Sequence, residues 1–246
     1  MSAPEIQLDS RDGITLVTIN RPHKRNAMTA QMCDDMAIAW QRFRDSDDRV
    51  AVLHGAGEAF SAGADLNQPP SNFWRALPEV GIQIGKPVIA AVRGPAVGFG
   101  LAMVVFSDLA VAAEDARFIY PEGRIGVTKG LMAALSVRVP LKIANEIMLL
   151  GKPIDAKRAY EAGLVNQMAR LGCELNDAMR MAGDLGKAAP MVIRLLKKMA
   201  RETLPVSPAE AAYRAQLDVE AVEQSADAQA GLEAFRNRKT PVFAGH

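Results

Sequence analysis

The stretch Lys86-Pro87-Val88-Ile89-Ala90-Ala91-Val92-Arg93-Gly94-Pro95-Ala96-Val97-Gly98-Phe99-Gly100, which runs on toward Pro121-Glu122, decides the fold. It begins as an apolar run of strand length and breaks at a Gly-Pro turn. It then passes through Gly98-Phe99-Gly100 into a short apolar segment, Leu101 to Phe106, with room for nearly two helical turns. A strand that feeds a helix through glycines aims free backbone N–H groups at whatever sits at the helix start. A negative charge or a polarised carbonyl oxygen suits that place. A tightly packed strand–helix joint with no ligand gives the same pattern.

Outward from this stretch, short strands alternate with helices. Residues 5–20 read as two strands around Asp12-Gly13. The loop Asn20 to Ala27 follows, with three basic side chains, as a solvated turn or a cationic lip for a phosphate-bearing ligand. Thr29 has the chemistry of an N-cap for a helix that lines up Met32, Met36, Trp40 and Phe43 on one core-facing stripe. Arg49 to His54 is a strand, and Gly55-Ala56-Gly57 turns the chain into Phe60-Ser61-Ala62-Gly63-Ala64-Asp65-Leu66. Residues 67–80, rich in proline, read as a mobile or irregular connection. Leu109 to Ala113 and Ala116 to Tyr120 are further strands, so the pattern argues an α/β fold with crossover connections.

From residue 130 the chain turns helical. Pro140 to Leu150 ends at Gly151, Asp155 caps a helix that stops at Gly163, and Leu164-Val165 reads as a last short strand. The remaining third is helical: Ser207-Pro208-Ala209-Glu210 has the form of a capping box, and Ser225 caps a final helix through Phe235. These helices read as a subdomain or an assembly surface.

Composition closes off several functions. Lys+Arg 29 against Asp+Glu 28 leaves a net charge of +1, so neither nucleic acid nor an anionic membrane has an electrostatic case. Two cysteines, Cys33 and Cys173, stand far apart, and three histidines do not cluster with them or with carboxylates; no metal site is expected. With no long apolar run and no basic-then-apolar leader, a soluble cytoplasmic protein is expected. No Gly-x-Ser-x-Gly elbow, paired Cys/His signature or dinucleotide fingerprint occurs.

Several segments together resemble the crotonase family, the enoyl-CoA hydratase/isomerase superfamily. They are Asn20-Arg21-Pro22 with Asn26-Ala27, Ala59 to Leu66, Lys86 to Gly94 with Gly98-Phe99-Gly100, and Ser107-Asp108. Ala116-Arg117-Phe118, Pro121-Glu122, Gly126, Leu150 to Ala156, Ala162 to Asn166 and Phe235 to Phe243 continue the series in order over nearly the whole chain. The resemblance implies a spiral of ββα turns over residues 1–195, followed by C-terminal helices, 196–246, that build a homotrimer or hexamer. It implies an acyl-CoA thioester whose carbonyl oxygen sits between the amides of Ala64 and Phe99. CoA contacts fall on Lys24, Arg25 and Ala27, and on the backbone around Ala62, Asp65 and Leu66. No permanently bound cofactor is implied; CoA enters as part of the substrate.

Three positions depart from the family pattern. Hydratases of the family use two glutamates; the second falls on Glu122, but the first falls on Ala102, which carries no proton. Phe99 stands where glycine is common, and Val127-Thr128-Lys129-Gly130 replaces a segment that ordinarily has proline, reshaping the acyl pocket around Thr128 and Lys129. A single acid/base, Glu122, favours double-bond isomerisation. The alternatives are a hydratase, another acyl-CoA lyase or a hydrolase with a substituted second group, and a non-catalytic acyl-CoA-binding member.

Overall fold

The fold is taken from a computed structural model, which describes residues 3–128, 130–203, 219 and 222–244. β1 (Ile6–Arg11) and β2 (Ile14–Ile19) form an antiparallel hairpin turning at Asp12-Gly13. β2 then pairs in parallel with β3 (Val50–Gly55), which pairs with β4 (Val88–Val92). β6 (Leu109–Ala113) and β9 (Gln167–Ala169) extend the parallel run, giving the order β1-β2-β3-β4-β6-β9. β5 (Pro95–Val97), β7 (Arg117–Ile119) and β8 (Ile154–Asp155) form a second, smaller sheet.

After each central strand the chain bends into this second layer. β4 passes into β5 and β6 into β7, while single bridges at Met28–Ala64 and Ser61–Ala96 continue the ladder across the segments after β2 and β3. The chain therefore advances one strand pair per turn, as the spiral of ββα turns implied by the resemblance requires. Alternation along the strands sorts the core into two sides. Val17, Ile19, Ala51, Leu53, Val88, Ala90 and Val92 face α1 (Ala30–Asp45) and the second layer. Ile14, Val50, Val52, Ile89, Ala91 and Val111 face Ala178 and Ala182 of α6 (Glu174–Gly186).

The helix signals were accurate where side chains close the backbone locally. Thr29 Oγ1 accepts from Met32 N at 3.2 Å, and Met32, Met36, Trp40 and Phe43 are buried. Asp155 caps α5 (Ala156–Glu161), Gly151 ends α4 (Leu141–Leu150) in the left-handed region, and Ser225 caps α8 (Ala226–Arg236).

Four readings change. Pro95 does not end the extended backbone but opens β5: its carbonyl accepts from Ser61 N at 3.1 Å, a ladder role that needs no proline N–H. Leu164-Val165 is not a strand, because Leu164 N bonds back to Ala159 O at 2.9 Å; the strand begins three residues later, at Gln167. Residues 67–80 are irregular yet packed. Phe73, Ala76 and Leu77 are buried, and Trp40 Nε1 donates to Ala76 O at 2.7 Å. The apolar helix of the opening stretch, α2, begins at Phe99 rather than Leu101 and runs to Phe106. The capping box at 207–210 and Lys129 lie outside the described residues. The division expected at 195/196 falls inside one continuous helix, α7 (Pro190–Thr203).

Candidate active site

The loop after β3 and the joint between β5 and α2 meet at the mouth of a cavity of about 530 Å³. Parallel bridging of Met28 to Ala64 uses Gly63 O and Asp65 N, at 2.8 and 2.9 Å, so the N–H of Ala64 itself points away from the ladder. Phe99 is the first residue of α2, where an amide has no partner in its own helix. Neither N–H has a backbone acceptor among the described residues. The two chain segments touch: a Cβ on Gly63 would stand 2.6 Å from Val97 O and 3.5 Å from Phe99 N. Both residues border the cavity.

Glu122 reaches this place from the other side, at the start of α3 (Glu122–Ile125). A Cβ on Gly98 would collide with the Glu122 carboxylate, so the carboxylate packs directly on the backbone that precedes Phe99. Gly98 also has φ of 52°, a conformation costly for any residue with a side chain. Oε2 of Glu122 is buried without a hydrogen-bond partner among the described residues. Burial pushes the carboxyl up from 4.5 to about 8. Ala102 lines the same cavity one turn into α2, so that wall presents a methyl group.

Among the residues expected to contact CoA, Lys24, Ala27, Ala62, Asp65 and Leu66 all border the cavity. Arg25 does not. It is exposed and closes the Pro22–Lys24 turn with φ of 51°, its N–H donating to Pro22 O. The Asp65 carboxylate is already engaged, accepting from Arg21 Nη1 at 2.8 Å and from Asn67 N at 3.0 Å. Its side chain thus ties the loop to the wall, its N–H is spent on Met28 O, and only its carbonyl, which already accepts from Gln68 N, keeps a lone pair for a ligand. Among the described residues no group of three or more His, Cys, Asp or Glu side chains is arranged to hold a metal. No described helix is long and apolar enough to cross a membrane.

The family model for enoyl-CoA hydratase/isomerase matches residues 9–246. The chain belongs to the enoyl-CoA hydratase/isomerase family. Among its relatives, the carnitinyl-CoA dehydratase of Citrobacter koseri is 34% identical, the match covering 93% of this chain and 94% of that protein. Enoyl-CoA hydratase EchA19 of Mycobacterium tuberculosis is 32% identical over 98% of this chain and 97% of its own length. In structure the chain is similar to a carnitinyl-CoA dehydratase from Mycobacterium avium 104, with a TM-score of 0.89 and 31% identity over 99% of this chain and all of that one.

Within this crotonase frame, two features escaped the sequence. Arg21 stood inside a quoted segment with no role, yet it donates to Ala27 O at 2.9 Å as well as to Asp65. An arginine beside a proline carries no signal of a partner forty residues on. Tyr120 and Thr128 also line the cavity, with Tyr120 Oη and Thr128 Oγ1 2.8 Å apart. Thr128 lay in a segment recognised as altered, but nothing along the chain pairs it with Tyr120.

Proposed function

We propose that the chain processes an acyl-CoA thioester through an enolate, hydrating an enoyl group or dehydrating a 3-hydroxyacyl group, with Glu122 as its single proton carrier. The observation that carries this reading is the Glu122 carboxylate packed on Gly98 with its Oε2 unpartnered among the described residues, beside the Phe99 N–H, which has no backbone acceptor there. Removing a proton from C2 of a thioester puts negative charge on the carbonyl oxygen. Two fixed donors at Ala64 and Phe99 stabilise that charge, each by about 2.7–4 kcal/mol, and the α2 N-terminus adds to them. Lys24 and the backbone of Ala62, Asp65 and Leu66 hold the CoA portion.

In dehydration, ionised Glu122 takes the C2 proton and returns it to the leaving C3 hydroxyl, which departs as water. Hydration is the reverse: a water proton passes to Glu122, the water oxygen bonds to C3, and the proton moves to C2. One carboxylate suffices because it ends each cycle ionised, as it began. The names of the relatives support hydration or dehydration. Ala102 favours a second reading, isomerisation, in which Glu122 carries a proton between two carbons of the acyl chain and no water enters.

Turnover of an enoyl-CoA panel in ¹⁸O water separates these. Label in the product supports hydration, and an unlabelled shifted double bond supports isomerisation. Glu122→Gln should lower either rate by about 10²–10⁴-fold, the usual contribution of a positioned acid/base. Full activity in that variant, or tight binding with no turnover in the parent, overturns the proposal.

A further inference from the structure

The acyl end of the cavity is mostly hydrocarbon, with Phe73, Val97, Ile125, Leu131 and Met132 in its wall. Against that background the Tyr120 and Thr128 hydroxyls, 2.8 Å apart, are out of place unless they serve a polar partner. Their arithmetic is simple. Two hydroxyls carry two hydrogens, their mutual bond uses one, and whichever group donates, the other O–H is left over. Thr128 Oγ1 has one further, long contact, with Gly130 N at 3.5 Å, which is a donor and cannot take that hydrogen. Tyr120 is only 8% exposed, and both its burial and the nearby Glu122 charge hold its phenol protonated, so the pair keeps its donor.

The pair also sits in a telling place. Gly98 N donates to Ile119 O at 2.8 Å, which seats Tyr120 next to the glycine that carries the Glu122 carboxylate. Ala102 leaves the α2 wall of the cavity without a carboxylate to hold the hydroxyl or water of the reaction, although Asp65 and Glu223 border the cavity elsewhere.

We propose that the Tyr120–Thr128 hydroxyl pair hydrogen-bonds an oxygen on C3 of the acyl chain, making 3-hydroxyacyl-CoA thioesters the preferred ligand class and supplying the polar contact that Ala102 lacks. This rests on the acyl-CoA reading above. An unsubstituted acyl chain in the same place displaces water from the leftover O–H and offers it nothing, so the site discriminates by the presence of that oxygen.

The test is a binding comparison that needs no turnover. Dissociation constants of 3-hydroxybutyryl-CoA and butyryl-CoA are measured by calorimetry in a Glu122→Gln background, alone and combined with Tyr120→Phe, Thr128→Val or Thr128→Ser. The parent should favour the hydroxy ligand by about tenfold. Tyr120→Phe and Thr128→Val should each lower the ratio, the two made together should bring it close to one, and Thr128→Ser should keep it. Butyryl-CoA affinity, retained or raised where a hydroxyl is removed, reports an intact fold. A parent with no preference, or a preference that survives both removals, overturns the inference. Exchange of the C2 hydrogen of butyryl-CoA in D₂O by the wild-type chain reports separately on the enolate chemistry. Its absence with the binding preference intact would sink the proposed function and leave this inference standing.

Discussion

A carboxyl held at about 8 by burial is mostly protonated at neutral pH, yet every reaction proposed for Glu122 starts from the carboxylate. The pH–rate profile should therefore show kcat/KM rising about tenfold per pH unit below 8 and levelling above it. A flat profile from pH 6 to 9 would detach Glu122 from the chemistry. The same shift bears on stability. In the unfolded chain this carboxyl titrates near 4.5, so between 4.5 and about 8 the native state holds a proton that the unfolded state has released. Glu122 thus contributes stability that is fully present below 4.5 and is lost as pH rises through about 8. At this scale the sequence identified Gly98, Phe99 and Glu122 but not that the carboxylate lies on the glycine, because the residues come from different turns of the spiral.

Among elements, α7 is the odd one. None of its described residues is buried, and charge anchors it. Lys197 Nζ lies 2.9 Å from Glu79 Oε1 and 2.7 Å from Asp108 Oδ2, and Arg201 Nη1 lies 2.6 Å from Glu79 Oε2. Both carboxylates also hold backbone N–H groups, Gly85 at 2.7 Å and Val88 at 2.8 Å, so the cluster ties α7 to the loop before β4. Burial is the largest influence on Glu79 and opposes its charge, but Lys197, the Gly85 N–H and Arg201 together outweigh it and keep that carboxyl below its ordinary value. Lys197→Met should cost about 3 kcal/mol, since it strips Asp108 of its ion pair and leaves Glu79 with Arg201 alone, read as a lower urea midpoint. Adding Glu79→Gln should recover part of the loss. Helices with local signals, Thr29 and Asp155 among them, were legible in advance; this clamp was not, since its partners lie about 90 to 120 residues apart.

For the whole molecule, the spiral puts the anchoring side of α7 on the core and leaves Met191, Val192, Leu195, Leu196 and Met199 outward, Met191 being 82% exposed. An apolar stripe of this size on a helix end of the fold calls for a cover. We infer that copies of this chain provide it, as a homotrimer or hexamer. Sedimentation velocity should give a mass three or six times that of the chain, and Leu195→Glu with Met199→Glu should reduce it. A wild-type monomer at micromolar concentration rules this out.

The sequence by itself determined much of the local structure: the β1–β2 hairpin, the central strands, the caps at Thr29, Asp155 and Ser225, and the apolar face of α1. Those are set by short-range backbone chemistry and by period, and both are written along the chain. Its motifs, in their order, also marked the family. Only the tertiary structure decided what meets in the cavity. It brought Ala64 and Phe99 to one cavity, set the Glu122 carboxylate on Gly98, paired Tyr120 with Thr128, and left Arg25 outside. The reason is geometric. Apart from the Tyr120–Thr128 pair, which α3 folds back over eight residues, these contacts join residues from different turns of the spiral, and their approach depends on sheet register and close packing, which no single stretch of sequence encodes.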